Sequence, residues 1–381
     1  MEHTLLITGG SLGDIRPFVA IAVALERRGV EVTLLTNPAA RETVEQAGLR
    51  CVVAGRDVTV RQLLRDRPAY MSLRGGELVL KEMFIPASKA VYDAALSEID
   101  RNRPDAIVCH PGCFGGVWAA GQREIPLAMV HLAPTSLLRP ADAAETTGGP
   151  VWLWRRVLRR IQRAGSGWMR KAAAELGVDW HADLLEDMIL GGDVLLGMWS
   201  PLFRSPKPDD PPHLRTCGFP NPARINPLPP ELDRFLAENA APIVFGLGST
   251  AVHVDRKVLK AAETVTEKMD RPAVLITGEV DQVQVDGRIA RAGFACFDAL
   301  FPQSHLTVHH GGIGTTTAAL RSGRPSLAVP FGHDQFDNGA RLKQLGVGGR
   351  LWAATVHTGQ APPAAAKAGA TGSRGSGDRP R

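Results

Sequence analysis

The chain has 381 residues, enough for two domains of ordinary size, and its 44% hydrophobic and 22% charged residues exclude a disordered or fibrous chain overall. Lys and Arg number 44 against 39 Asp and Glu, a net charge of +5, which is well short of the cationic surface of a nucleic-acid binder. Five scattered cysteines exclude a disulfide framework and fit a reduced, cytoplasmic setting.

Met1 leads straight into TLLIT, without the basic segment and cleavage site of a secretory leader. That run, residues 4–8, is apolar and ended by glycines, the pattern of a buried parallel strand. Phe18, Ile21, Ala22 and Leu25 then recur at helical spacing over 15–28, with Gly29 as a stop signal. EVTLLT (31–36) is the next strand, and the alternation continues through DAIVC (105–109), a helix after Gly115, and PLAMVHL (126–132). No apolar run reaches the roughly 20 residues of a membrane span. Between 201 and 242 lie eleven of the chain's 28 prolines, which suit neither a ladder nor a helix interior, so this is a connector. Strands then resume at 242–249, 273–278, 306–310 and 326–330, with helices near 255–269 and 314–322. The expected fold is α/β: two Rossmann-like parallel-sheet domains, 1–200 and 242–352, joined by the connector 201–241. In 353–381, 21 of 29 residues are Ala, Gly, Pro, Ser or Thr, a composition that predicts a disordered C-terminal tail.

Four loops at the ends of predicted strands carry chemistry. GGSLGD (9–14) has Ser11 and Asp14 where a dinucleotide fingerprint needs glycines, which disfavours a nicotinamide site. Asp14 sits where parallel sheets place their ligands, and it also suits a helix cap; the two roles are compatible. HHGGIGTTT (309–317) follows one strand and opens a helix, so its backbone N–H groups and the helix dipole can hold an anion, with His310 and Thr315 as further donors. It lacks the lysine of a P-loop, so an ATPase is not supported. PFGHDQFDN (330–338) offers Asp334 and Gln335, an acceptor and a mixed donor–acceptor that suit sugar hydroxyls; taken alone it is equally a solvated loop or a cap. GLGST (246–250) brings Ser249 to another strand end. Cys109, His110 and Cys113 have no second ligand pair nearby, and no metal site is expected. In 151–171, Arg155, Arg156, Arg159, Arg160 and Arg163 crowd one helical face and Trp154, Val157, Leu158 and Ile161 the other, which fits either a solvated domain helix or one lying on an anionic membrane. His110, Trp118 and His131 are candidates for an acceptor pocket, or else core or rim residues.

Taken together, these loops resemble the family 1 nucleotide-sugar glycosyltransferases of the GT-B fold over residues 4–352. The most specific segment is HHGGIGTTTAALRSGRPSLAVPFGHDQFDNGARLKQLGVG (309–348), similar to that family's donor signature; GSLGDIRPF (10–18) is most similar to the bacterial rhamnosyl-, sterol and antibiotic glycosyltransferase branches. The resemblance implies two domains facing a cleft, and inverting, metal-independent transfer of a hexosyl group from a nucleotide-diphosphate sugar to a hydroxyl of a hydrophobic small-molecule or lipid acceptor. No cofactor is implied beyond that co-substrate. Asp14 falls on the family's general base; His310, Gly311, Gly312, Gly314 and Thr315 fall on the diphosphate-binding turn, and Ser249 on its partner loop. Asp334 and Gln335 fall on the sugar contacts, and Phe294 on the residue that stacks on the base, although Cys296 replaces the usual proline of that element. Ala318 stands where plant members carry a ribose-binding glutamate. Relatives continue for some tens of residues past 346–348, where this chain enters its low-complexity tail. That pattern reads as a C-terminal truncation and sets a catalytically silent binding or stabilising partner beside the enzyme reading. The expected location is cytoplasmic, peripheral at the inner membrane face if 151–171 docks there.

Overall fold

Among the residues described by the structure, a computed structural model, each half of the chain builds one seven-stranded sheet; those residues are 1–56, 62, 67–71, 75–180, 183–221, 225–246, 256–278 and 282–351. The first sheet holds, in spatial order, β3 (Arg50–Val53), β2 (Glu31–Thr36), β1 (His3–Ile7), β4 (Ala106–Cys109), β5 (Leu127–His131), β6 (Val194–Gly197) and β7 (Leu214–Thr216). All its pairings are parallel, and Leu6 lies opposite Leu34 on one side and Val108 on the other. The continuous apolar run in β1 is explained by burial on both faces. Leu5 and Ile7 pack with Trp118 and Met129, while Leu6 packs with Ile15 and Phe18 of the helix Leu12–Glu26.

The second sheet runs β10 (Gln284–Asp286), β11 (Ile289–Ala292), β9 (Ala273–Ile276), β8 (Ile243–Gly246), β12 (Leu306–His309), β13 (Ser326–Ala328) and β14 (Gly348–Arg350). It is parallel except for the antiparallel β10–β11 pair at its edge. In both sheets the strand order reverses direction beside the first strand, between β1 and β4 and between β8 and β12. Such switch points open a crevice at the carboxyl ends of the strands, where ligands of this architecture bind. The two halves therefore form the Rossmann-like pair expected for the GT-B fold.

The first helix begins at Leu12, ahead of the expected 15, because Ser11 caps it: its hydroxyl accepts from the Gly13 N–H and its own N–H reaches Asp14. β7 lies inside the proline-rich 201–241 segment. A three-residue edge strand has a ladder on one side only, so the flanking Pro211 and Pro212 cost it no pairing. The tail beyond Leu351 lies outside the described residues. Across the cleft, Ile313 of the second half packs against the core clusters of the first.

Candidate active site

Asp14 follows β1 at the first switch point. Its Oδ2 accepts from the Ser11 N–H at 2.8 Å and the Ser11 hydroxyl at 2.9 Å, so the capping role is real. Both bonds use one oxygen, and among the described residues no protein hydrogen bond falls on Oδ1. Thr8 Oγ1 donates to the Asp14 carbonyl at 3.2 Å and anchors the turn. The carboxylate acts on groups from both halves: His110 in the first, and His333 and Asp334 in the second. His110 follows β4, and its Nδ1 accepts from the Gly112 N–H at 3.1 Å, so its proton sits on Nε2. Burial lowers its pKa from the usual histidine value while Asp14 opposes that shift. Asp14 and His110 are therefore neighbours on one switch point.

The second switch point carries the glycine turn. β12 ends at His309, whose ring is locked between the Ser326 hydroxyl at 2.7 Å and the Gly311 N–H at 3.0 Å. Burial and the neighbouring His310 hold it neutral, with its pKa pushed down to about 3. Burial likewise takes His310 down to about 4, against a hydrogen bond to the Gly246 carbonyl, and leaves its Nδ1 enclosed without a partner among the described residues. Gly311 sits at φ +88°, and a Cβ there would meet the Gln335 carbonyl oxygen at 2.9 Å, so both conformation and space require glycine. Gly312 precedes the helix Ile313–Ser322 and offers no side-chain cap. A Cβ on Gly314 would meet nothing within 4 Å, so the approach to that turn is open. The first-turn N–H groups of Gly314 and Thr315 have no intrahelical acceptor, which suits an anion.

Asp334 and Gln335 open the helix Gln335–Gln344 directly beside this turn. Asp334 accepts from the Asn338 amide at 2.7 Å and from the Ile313 N–H. Its pKa is pushed up to about 7, first by burial and then by Asp14 and Asp337, against those hydrogen bonds. Gln335 Oε1 accepts from Phe331 and Gly332 N–H at 2.8 and 3.2 Å, so its amide nitrogen is what it can present to a ligand. Asn338 also ties the loop to the turn through the Gly311 carbonyl at 2.9 Å. Phe294 is exposed, and the Arg16 guanidinium, reaching from the first half, lies 5.3 Å from its ring centroid.

The structure thus brings Asp14, His110, the 310–315 turn, Asp334 and Gln335 to facing crevices. Trp118 and His131 are in the core of the first half: Trp118 packs against Trp180, and His131 is held by Ser136 at 2.7 Å and the Ile189 carbonyl at 2.8 Å. Neither presents its side chain at a surface. Ser249 lies outside the described residues. Asn338, His333 and Arg16 were not anticipated, although Asn338 stands one helical turn after Asp334, a spacing that puts both on one face. Among the described residues no cluster of His, Cys, Asp or Glu is placed to hold a metal ion, and no helix is long and apolar enough to cross a membrane.

Comparison with known proteins bears on the family and the fold. Residues 4–96 match the glycosyltransferase family 28 N-terminal domain, and residues 268–369 match the erythromycin biosynthesis protein CIII-like C-terminal domain. The chain is 30% identical to O-mycaminosyltylonolide 6-deoxyallosyltransferase of Streptomyces fradiae, over 91% of this chain and 84% of that one. It is 26% identical to a sterol 3-beta-glucosyltransferase of Saccharomyces cerevisiae, covering 90% of this chain but 30% of that longer one. The spinosyn rhamnosyltransferase SpnG, solved with thymidine diphosphate, superposes with a TM-score of 0.62 at 17% identity, covering 92% of this chain and 86% of that one. The chain belongs to the family 1 nucleotide-sugar glycosyltransferases of the GT-B fold and is a sugar-transferring enzyme.

Proposed function

We propose that the chain inverts the anomeric centre of a hexosyl donor in one displacement, without a metal, with Asp14 as general base toward an acceptor hydroxyl. The observation that supports this is Asp14 itself: a carboxylate fixed through one oxygen at a switch point, acting on residues of both halves. An alcohol is a poor nucleophile, and a positioned carboxylate takes its proton as the glycosidic bond forms. The leaving diphosphate gathers charge beside the uncapped first turn of the helix Ile313–Ser322, whose N–H groups and dipole are already oriented toward it. Asp334 and the Gln335 amide then hold sugar hydroxyls, and Phe294 stacks on the base. The diphosphate in the SpnG structure makes a thymidine diphosphate sugar the first donor to try. The names of the relatives suggest secondary-metabolite and sterol hydroxyls as acceptors. We place the enzyme in the cytoplasm, with the arginine-rich helix Val151–Glu175 in contact with the inner membrane face.

Asp14→Asn keeps the shape of the side chain and removes the proton acceptor. Turnover should fall by roughly 10²–10⁴ while nucleotide affinity stays within a few-fold. Calorimetry for binding and product formation for turnover check this, and retained turnover would remove Asp14 from the base role.

A further inference from the structure

A buried charge network joins the two halves. In the helix Gln335–Gln344, Arg341 follows Asp337 by one turn and pairs with it through Nε at 2.7 Å and Nη2 at 3.1 Å. The same guanidinium crosses to the first half, where Nη2 meets Asp142 Oδ1 at 3.2 Å and Nη1 the Phe203 carbonyl at 3.5 Å. Asp142 is shared with Arg204, which grips it at 2.7–3.0 Å and also pairs with Asp210 at 2.6 Å. Gln344 adds a bond to the Glu145 carbonyl at 3.3 Å, and the Thr146 hydroxyl reaches Asp337. The helix Pro140–Thr147 of the first half is in this way fastened to the helix whose first turn holds Asp334, Gln335 and Asn338.

Arg204, Arg341, Asp142 and Asp337 are each at most 3% exposed. Burying charges costs several kcal/mol per ion, and a close ion pair often does no more than offset that cost. Stability is therefore a weak reason for so many charges at one contact; what the network supplies is a fixed geometry. A bidentate guanidinium sets the angle as well as the distance of its partners.

We propose that Arg341 is the positioning residue of the donor-sugar site, holding the Asp334–Asn338 turn in register with the half of the molecule that carries Asp14. The proposal rests on the reading of Asp334 and Gln335 as sugar contacts. It predicts that loosening the network weakens recognition of the sugar more than recognition of the nucleotide, because the diphosphate turn 310–315, although linked to Asn338 and Asp334, keeps its own anchor in the His309–Ser326 and Gly311–His309 bonds. A purely structural role would move both affinities together, or only the melting temperature.

The test compares Kd for thymidine diphosphate with Kd for thymidine diphosphoglucose, with the uridine pair alongside, in the full chain. Arg341→Lys keeps the charge and loses the fork; Asp142→Asn removes the counter-charge that Arg341 meets across the halves and leaves the Arg341–Asp337 pair intact, which guards against a variant that fails to fold. In either folded variant the affinity gained from the sugar should drop roughly tenfold, with diphosphate affinity within about twofold. Asp334→Asn separates the two ideas. If it lowers the sugar's contribution while Arg341→Lys and Asp142→Asn leave it unchanged, Arg341 does not position the site. If Asp334→Asn also leaves it unchanged, the sugar-contact reading fails and the proposal falls with it.

Discussion

Asp334 shows how one side chain can tie the pH behaviour of the fold to the donor site. Its pKa of about 7 lies above the usual carboxylate value, so between about pH 4 and 7 the folded chain keeps a proton that the unfolded chain has released. Its contribution to stability is complete below about pH 4 and is lost as the pH rises through 7. His131, His309 and His310 have the opposite sign: buried and neutral, at about 4, 3 and 4, they contribute fully above about pH 6.5 and lose that contribution as the pH falls. Asp334→Asn removes the opposing slope, so melting temperature should rise more steeply between pH 4.5 and 7 than in the parent chain. Thermal unfolding across that range checks this, and parallel profiles would mean that Asp334 is ionised throughout. Asp334 and Gln335 were legible as a polar pair just past a predicted strand. The partner that orients Asn338 was not, because the Gly311 carbonyl lies 27 residues away in sequence. Nor was the partner of Arg341, since Asp142 is 199 residues away. Trp118 and His131 show the converse: residue type suggested a pocket, and burial decided for the core.

At the scale of elements, the strands buried on both faces were the easiest to read, because a parallel strand between two helical layers is apolar without interruption. β2 matches the expected 31–36, and β1, β4, β5, β12 and β13 fall within one or two residues of expectation. β7, β10 and β14 are three residues long, too short to show a period. The helix Val151–Glu175 was legible from its charge pattern. Its buried residues are Gly165, Ser166, Met169 and Ala173, all in the second half, so the arginines and the exposed Leu153, Val157 and Ile161 extend beyond the core. A cavity of about 690 Å³ opens along it, lined by Trp152 and the five arginines. Leu153, Val157 and Ile161 are four apart and form one exposed stripe, which the proposed membrane contact would bury. Each arginine near an anionic surface contributes about 1 kcal/mol, and salt screens that attraction within a Debye length of about 10 Å at 0.1 M. The chain should sediment with vesicles containing phosphatidylglycerol, release at high salt, and ignore phosphatidylcholine vesicles. A variant with all five arginines changed to Gln should lose the association and keep its donor affinity. Equal sedimentation of the variant and the parent would assign the helix to solvent.

At the scale of the whole molecule, the contact between the halves changes what unfolding should look like. Two α/β domains joined by a proline-rich segment are expected to move relative to one another, because such interfaces are usually modest and polar. Here the interface encloses Arg204 and Arg341 around Asp142, so separating the halves means unpairing charges that are buried against one another. Further contacts join the halves: His333 hydrogen-bonds the Tyr70 carbonyl, and Arg16 lies over Phe294. The parent chain should therefore unfold as one cooperative unit despite having two sheets and two cores. Asp142→Ala leaves both guanidinium groups buried with a counter-charge missing, a change that typically costs about 3–5 kcal/mol. Arg204 keeps Asp210 as a partner within the first half, whereas Arg341 loses its carboxylate across the cleft, so the halves should come apart before either melts. Calorimetry should show one endotherm in the parent and two in Asp142→Ala, the upper one near the parent temperature and unmoved by nucleotide if it belongs to the first half. A single endotherm shifted down as a whole would mean that Asp142 supports the core of the first half, and that the two halves are held together by other contacts.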